Sequence, residues 1–223
     1  MWTWRKQPEP PFESEHVMSY ALHPDDRTIF VSVGKPNAPA ATFTFDTADA
    51  ALGNSNNNGV ENAWKRHGPW VLPFAGRAYF DPDLDAWVGF SRDFHGHLCS
   101  CIVASTTSRE SDGHCPAWKV SNERYFTDWS IEKHVGASLV HMEGRSRFCV
   151  VESFRVNDGS ADGMEEQDAL RPSCHCWIRL TTFSLRYDRN GDLTTGNSRR
   201  VRCYKAPETA SEPMLKHPVV FWM

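Results

Sequence analysis

Residues 76–91 read GRAYFDPDLDAWVGFS, a short strand pattern, a turn built on Asp81-Pro82-Asp83, and a second strand centred on Trp87. Asp and Pro between two alternating apolar runs are turn chemistry, so the stretch predicts a β-hairpin. The same pattern recurs before it in residues 16–33 (HVMSYALHPDDRTIFVSV) and after it in residues 136–151 (GASLVHMEGRSRFCVV). Phe30, Trp87 and Phe148 occupy corresponding places in the three copies, at roughly 60-residue intervals. A third strand follows each hairpin, in residues 41–47 (ATFTFDT), 98–104 (LCSCIVA) and 180–188 (LTTFSLRYD). Two copies then close on Ala-Trp-Lys, at Trp64 and Trp118.

Short antiparallel strands recurring with an aromatic at a fixed place predict an all-β chain of propeller-like blades. About three repeats are fewer than a propeller ring usually holds, so the fold class is an incomplete or C-terminal part of a β-propeller. The organisation expected is an N-terminal tail over 1–15, a repeat domain over 16–207 with repeats near 16–74, 75–134 and 135–207, and a C-terminal tail over 208–223. Strands are predicted at 17–22, 28–33, 41–46, 77–80, 86–91, 98–104, 137–142, 147–154, 178–187 and 199–205, with at most a turn of helix at 130–134. The polar stretches 54–59 and 158–168 read as surface loops.

The runs Thr42-Phe43-Thr44-Phe45-Asp46-Thr47, 64–74 (WKRHGPWVLPF), Gly76-Arg77-Ala78-Tyr79, 84–90 (LDAWVGF) and 97–101 (HLCSC) resemble a plant family of unknown function, domain of unknown function 1668. The similarity runs from about His16 to Lys205 and is densest in the middle motif. The resemblance implies a kelch-like propeller, although the Gly-Gly doublet of kelch repeats is missing. Relatives of this kind run longer at the amino end, which implies that this chain corresponds to the carboxy-terminal part. The resemblance brings no known activity.

Composition narrows the function. The 223 residues carry 24 Lys+Arg and 28 Asp+Glu, a net charge of −4, which makes nucleic acid an unlikely partner because phosphate binding needs clustered positive charge. No window nears the roughly 18 apolar residues of a membrane span, and the start lacks a secretory pattern, so a cytoplasmic or nuclear protein is expected. Seven cysteines, an odd number, read as reduced thiols in strands.

Soft ligands occur at His95, His97, Cys99, Cys101, His114, Cys115, Cys174, His175 and Cys176. Cys99/Cys101 and Cys174/Cys176 have one residue between them, whereas a zinc knuckle puts two to four between its ligands, so no metal site is assigned. Residues 188–192 (DRNGD) open like a calcium loop, yet position 12 is Arg199 where a bidentate Glu is needed; Asn190-Gly191 predicts a hairpin turn instead. Asp81, Asp83 and Asp85 crowd one turn, and no nucleophile elbow or phosphate loop is present. No catalytic residue and no cofactor is therefore assigned. The basic run 199–205 puts Arg200, Arg202 and Tyr204 on one strand face, a solvated face or a patch for an acidic partner.

The expectation is a non-catalytic propeller-like module that binds another protein or a second copy of itself. The alternatives are a metal-binding or hydrolytic enzyme on a propeller scaffold, in which Cys99, Cys101, Cys174, Cys176, His95 and His97 would supply the ligands, and a truncated paralogue with little activity.

Overall fold

The computed structural model describes residues 7–35, 39–48, 63–106, 115–126, 131–142, 144–156, 175–207 and 209–220. The loops expected at 54–59 and 158–168 lie outside these residues. The chain is all-β, and among the described residues helix is confined to short pieces such as the 3-10 turn Ser14–His16 and α1 (Glu212–Lys216). It divides into two compact units, Met1–Phe94 with Cys99–Val120, and His95–Leu98 with Ser121–Met223.

In the first unit β1 (Val17–Leu22), β2 (Thr28–Val33), β3 (Ala41–Asp46) and β4 (Trp64–Gly68) form a four-stranded antiparallel meander. A second meander begins with β5 (Gly76–Asp81) and β6 (Ala86–Phe90) and continues through β7 (His97–Ile102) and β8 (Trp118–Arg124), the two strands through which the unit division runs. Its first strand lies parallel to β1, with Ser19, Tyr20 and Ala21 opposite Gly76, Arg77 and Ala78. In the second unit β9 (Glu132–Met142), β10 (Arg147–Val156), β11 (His175–Ser184) and β14 (Arg200–Lys205) make a third sheet, ordered β14-β11-β10-β9. The short hairpin β12 (Arg186–Tyr187) and β13 (Leu193–Thr194) is inserted before its last strand.

The repeat is visible in backbone geometry. Asp26, Asp85 and Ser146 are the non-glycine residues at positive φ among the described ones, and each lies in the turn between the first two strands of a meander. Asp25 and Asp81 each accept backbone N–H bonds two and three residues on, which closes the turn. Phe30, Trp87 and Phe148, on the second strands, are all fully buried. Trp87 donates from Nε1 to the Leu22 carbonyl at 2.8 Å, so its one polar atom is satisfied.

The two Ala-Trp-Lys signatures open fourth strands, β4 and β8, which sequence patterning left out. The turn of helix expected at 130–134 is corrected, since Glu132–His134 begin β9 and residue 130 lies outside the described set. There His134 and Glu132 are drawn into cross-strand contacts that a helix could not make. At the turn 188–192 the hairpin forms with Gly191 at φ +77°, and Asp188 Oδ1 accepts from Asn190 and Asp192 N–H.

A directed chain of neutral hydrogen bonds pins residues 70–72 beneath the first meander. Thr42 Oγ1 donates to the Trp70 carbonyl at 2.7 Å, so the 2.8 Å bond between the hydroxyls must run from Ser32 to Thr42, and Ser32 Oγ accepts from Leu72 N–H at 2.9 Å. In the second unit α1 lies over β9 at Gly136, where a β-carbon would collide with the Lys216 carbonyl, and Ser138 Oγ donates to the Pro218 carbonyl.

Thr42→Val deletes one of the two hydroxyls and leaves the Ser32 O–H without its acceptor and the Trp70 carbonyl without its donor. It should cost roughly 1–3 kcal/mol by urea unfolding. The Ser32→Ala, Thr42→Val double variant should cost less than the two single losses together, because the broken bonds are shared.

Candidate functional site

The polar centre of the second unit grows out of one strand. In β10, Phe148, Val150, Glu152 and Phe154 share a face, and Glu152 is 1% exposed despite its charge. A buried carboxylate needs partners, and the register supplies them. Arg179 on β11 is directly opposite Glu152, and its Nη1 lies 2.9 Å from Glu152 Oε2. Its Nη2 reaches Glu132 Oε2 at 2.5 Å, and the guanidinium rests 4.2 Å over the Phe154 ring. Burial works against the charge on Arg179, but the bond to Glu132 and the Glu152 charge outweigh it and raise its pKa.

His134 completes the set, with Nδ1 3.0 Å from Glu152 Oε1. A bulge makes this possible: Ser153 pairs with Gly136 but Phe154 pairs with His134, which re-aims His134 onto the Glu152 face. Its ring stacks on Phe126 at 4.1 Å, and His95 packs edge-on to both rings. Each Glu152 oxygen is thus engaged by another side chain of the same unit. The arrangement clamps three strands.

A second carboxylate organises the end of β8. Glu123 Oε1 accepts from Thr194 Oγ1 (2.6 Å), Thr195 N–H (2.8 Å) and Thr195 Oγ1 (2.9 Å). Burial raises its pKa, but these bonds prevail and hold it below the usual carboxylate value. A cleft of about 400 Å³ adjoins Thr195, lined also by Ser184, Leu185, Arg186, Asn197 and Ser198.

The sequence-marked ligands disperse. Cys99 and Cys101 are buried in the first unit's core, donating to the carbonyls of Pro73 and Pro116, and Cys115 donates to that of Val71. Burial raises the Cys99 thiol, while a bond shared with Cys115, together with burial, raises Cys101. Thiols so raised stay protonated at neutral pH, a poor state for metal ligation or attack. In the second unit His97 Nδ1 lies 3.0 Å from the Ser121 carbonyl, and Cys176 is half-buried on β11. His114 and Cys174 lie outside the described residues. Among the described residues only Glu13, Glu15 and His16 bring three potential ligand atoms within 4.8 Å, at a surface turn whose carboxylates are exposed.

The basic strand is the feature that faces outward. All six residues of β14 are exposed, including Val201 and Tyr204 at 48% each. Its register sets Arg200, Arg202 and Tyr204 beside Thr182, Leu180 and Ile178 of β11, the shared face that alternation predicted. The profile of a family described as "Protein of unknown function (DUF1668)" matches residues 1–204 of a chain with this geometry. The chain belongs to that family. No curated protein and no solved structure matches it.

Sequence reasoning missed the charge clamp of this DUF1668 chain. Its signal was a lone Glu inside the apolar run FCVVESF, matched by a lone Arg in WIRL, but only the register shows that the two face each other.

Glu152→Ala should destabilise the chain by roughly 3–5 kcal/mol, because Arg179 is left partly buried with one partner fewer. A Glu152→Met, Arg179→Leu double variant should recover much of that loss in the same urea titration. The folded pKa of Glu123 is depressed, so its stabilisation is complete above its ordinary value and fades as pH falls through the folded one. Glu123→Gln should therefore lower the melting temperature at pH 7 and flatten its decline between about pH 5 and 3.

Proposed function

We propose that this DUF1668 chain is a non-catalytic interaction module built of propeller-like blades, and that its partner is another protein. The observation that carries the reading is β14, an edge strand exposed over its whole length and flanked by the half-buried apolar side chains Ile178 and Leu180. Exposed strand edges are templates for association and are normally covered or blunted. Three four-stranded meanders with matching turns, the first two set with their opening strands parallel, support the blade reading. The strongest ionisable cluster, around Glu152, is turned inward on its own partners, which suits a scaffold role.

The test is purification of the tagged full chain from the cells that make it, followed by reconstitution with the recovered protein. A complex of fixed stoichiometry by light scattering is the expected result. Recovery of no protein above a tag-only control, from cells in which the chain is folded, would overturn the reading.

A further inference from the structure

The outer edge of β14 has a defined hydrogen-bonding pattern. Ala206 N–H donates to the Cys176 carbonyl at 2.8 Å, so alternation turns the peptide groups of Tyr204, Arg202 and Arg200 toward β11 and those of Val201, Cys203 and Lys205 outward. No described strand pairs with those outward groups. The strand is also a concentration of positive charge in an acidic chain: Arg199, Arg200, Arg202 and Lys205 fall within seven residues, against a net charge of −4. Arg200, Arg202 and Lys205 form no ion pair among the described residues.

We propose that β14 receives an extended acidic segment of another protein, which adds to the sheet as a further strand. This rests on the interaction-module reading and names the partner's chemistry. The outward N–H and C=O groups of Val201, Cys203 and Lys205 supply the ladder, as in other strand-addition complexes. Side chains of the incoming strand alternate between two environments. Those beside Arg200 and Arg202 meet two cations without an ion pair and are acidic; those beside Val201 and Cys203 meet the exposed Val201 side chain and the Cys203 thiol and are apolar, up to Lys205 at the end of that face. A second copy of this chain is the wrong occupant, because pairing β14 with itself would bring two strands of the same positive sign together, and an acidic segment would not meet that repulsion.

The probe is a fluorescein-labelled ten-residue peptide alternating Glu and Val, with blocked ends, titrated by anisotropy against the full chain. Binding should weaken at least tenfold between 50 and 300 mM salt, as expected of exposed charge pairs. A Lys-Val peptide of the same length should bind at least tenfold more weakly. Arg200→Glu with Arg202→Glu alters only exposed side chains and should weaken binding at least tenfold. Val201→Pro removes an outward donor, a position where an edge strand tolerates proline, and should do the same with the urea midpoint unchanged, while Val201→Ala, which keeps the donor and trims only an apolar contact, should weaken binding far less. Peptide should also slow amide exchange at Val201, Cys203 and Lys205. Equal binding of the two peptides, or binding indifferent to the double Glu variant, would overturn the proposal, as would no binding at all. The two ideas fail separately: a cellular partner retained by both edge variants sinks strand addition and leaves the module reading standing, whereas a chain that recovers no partner sinks the module reading.

Discussion

A single buried carboxylate governs the second unit. Glu152 lies in a sheet interior at 1% exposure, where an unpaired charge would cost several kcal/mol, so the strands on both sides must be aligned to meet it. On β11 this requires Arg179 in direct register; a slip of one residue would carry that side chain to the opposite face. On β9 it requires the bulge that brings His134 around. The position of β14 is then fixed through β11, because Cys203 sits opposite Arg179. The buried charge and the exposed basic edge are one construction, since the register that satisfies the first decides which peptide groups of the second point outward.

The first unit solves the same alignment problem with neutral groups. Ser32 and Thr42 tie β2 to β3 and both to residues 70–72, with every donor and acceptor in the chain accounted for. Hydroxyls do not titrate in the ordinary range, so this joint is indifferent to acid, whereas Glu123 weakens as it gains a proton. Acid reaches the first unit elsewhere, at Asp25, whose carboxyl burial pushes up but the N–H groups of Thr28 and Arg27 hold well below the usual carboxylate range.

Much of the strand content was legible because it is local. β1, β2 and β3 fall on the expected 17–22, 28–33 and 41–46, where alternation is clean and Asp-rich turns bound the hairpin. Three aromatics read as equivalent from sequence are equivalent in burial. The strands passed over share a physical reason. β4 and β8 are mixed runs such as WKRHG and WKVSNER, whose strand character comes from pairing with a neighbour and not from alternation. Helix α1 is five residues long with Pro213 in its first turn, too short to form on propensity, and it is held by its approach to Gly136. The clamp depends on a bulge and on residues 47 apart, Glu132 and Arg179, which no window of sequence joins.

The treatment of the outer strands separates protection from function. At β4 the edge strand carries an apolar cover, with Phe12 packed against Trp64 and Phe43, and Trp64 Nε1 donating to the Pro8 carbonyl. At β14 there is charge and, among the described residues, no such cover. Charge alone is a known means of keeping an edge from pairing, and Arg200, Arg202 and Lys205 would serve that end. It does not account for Val201 and Tyr204, both 48% exposed between the cations, since a strand selected only to repel has no use for apolar and aromatic side chains in water. Under the proposed strand addition, cations that reject a basic strand, interleaved with apolar side chains that reward contact, form a filter by sign, and that combination would make the edge a recognition surface.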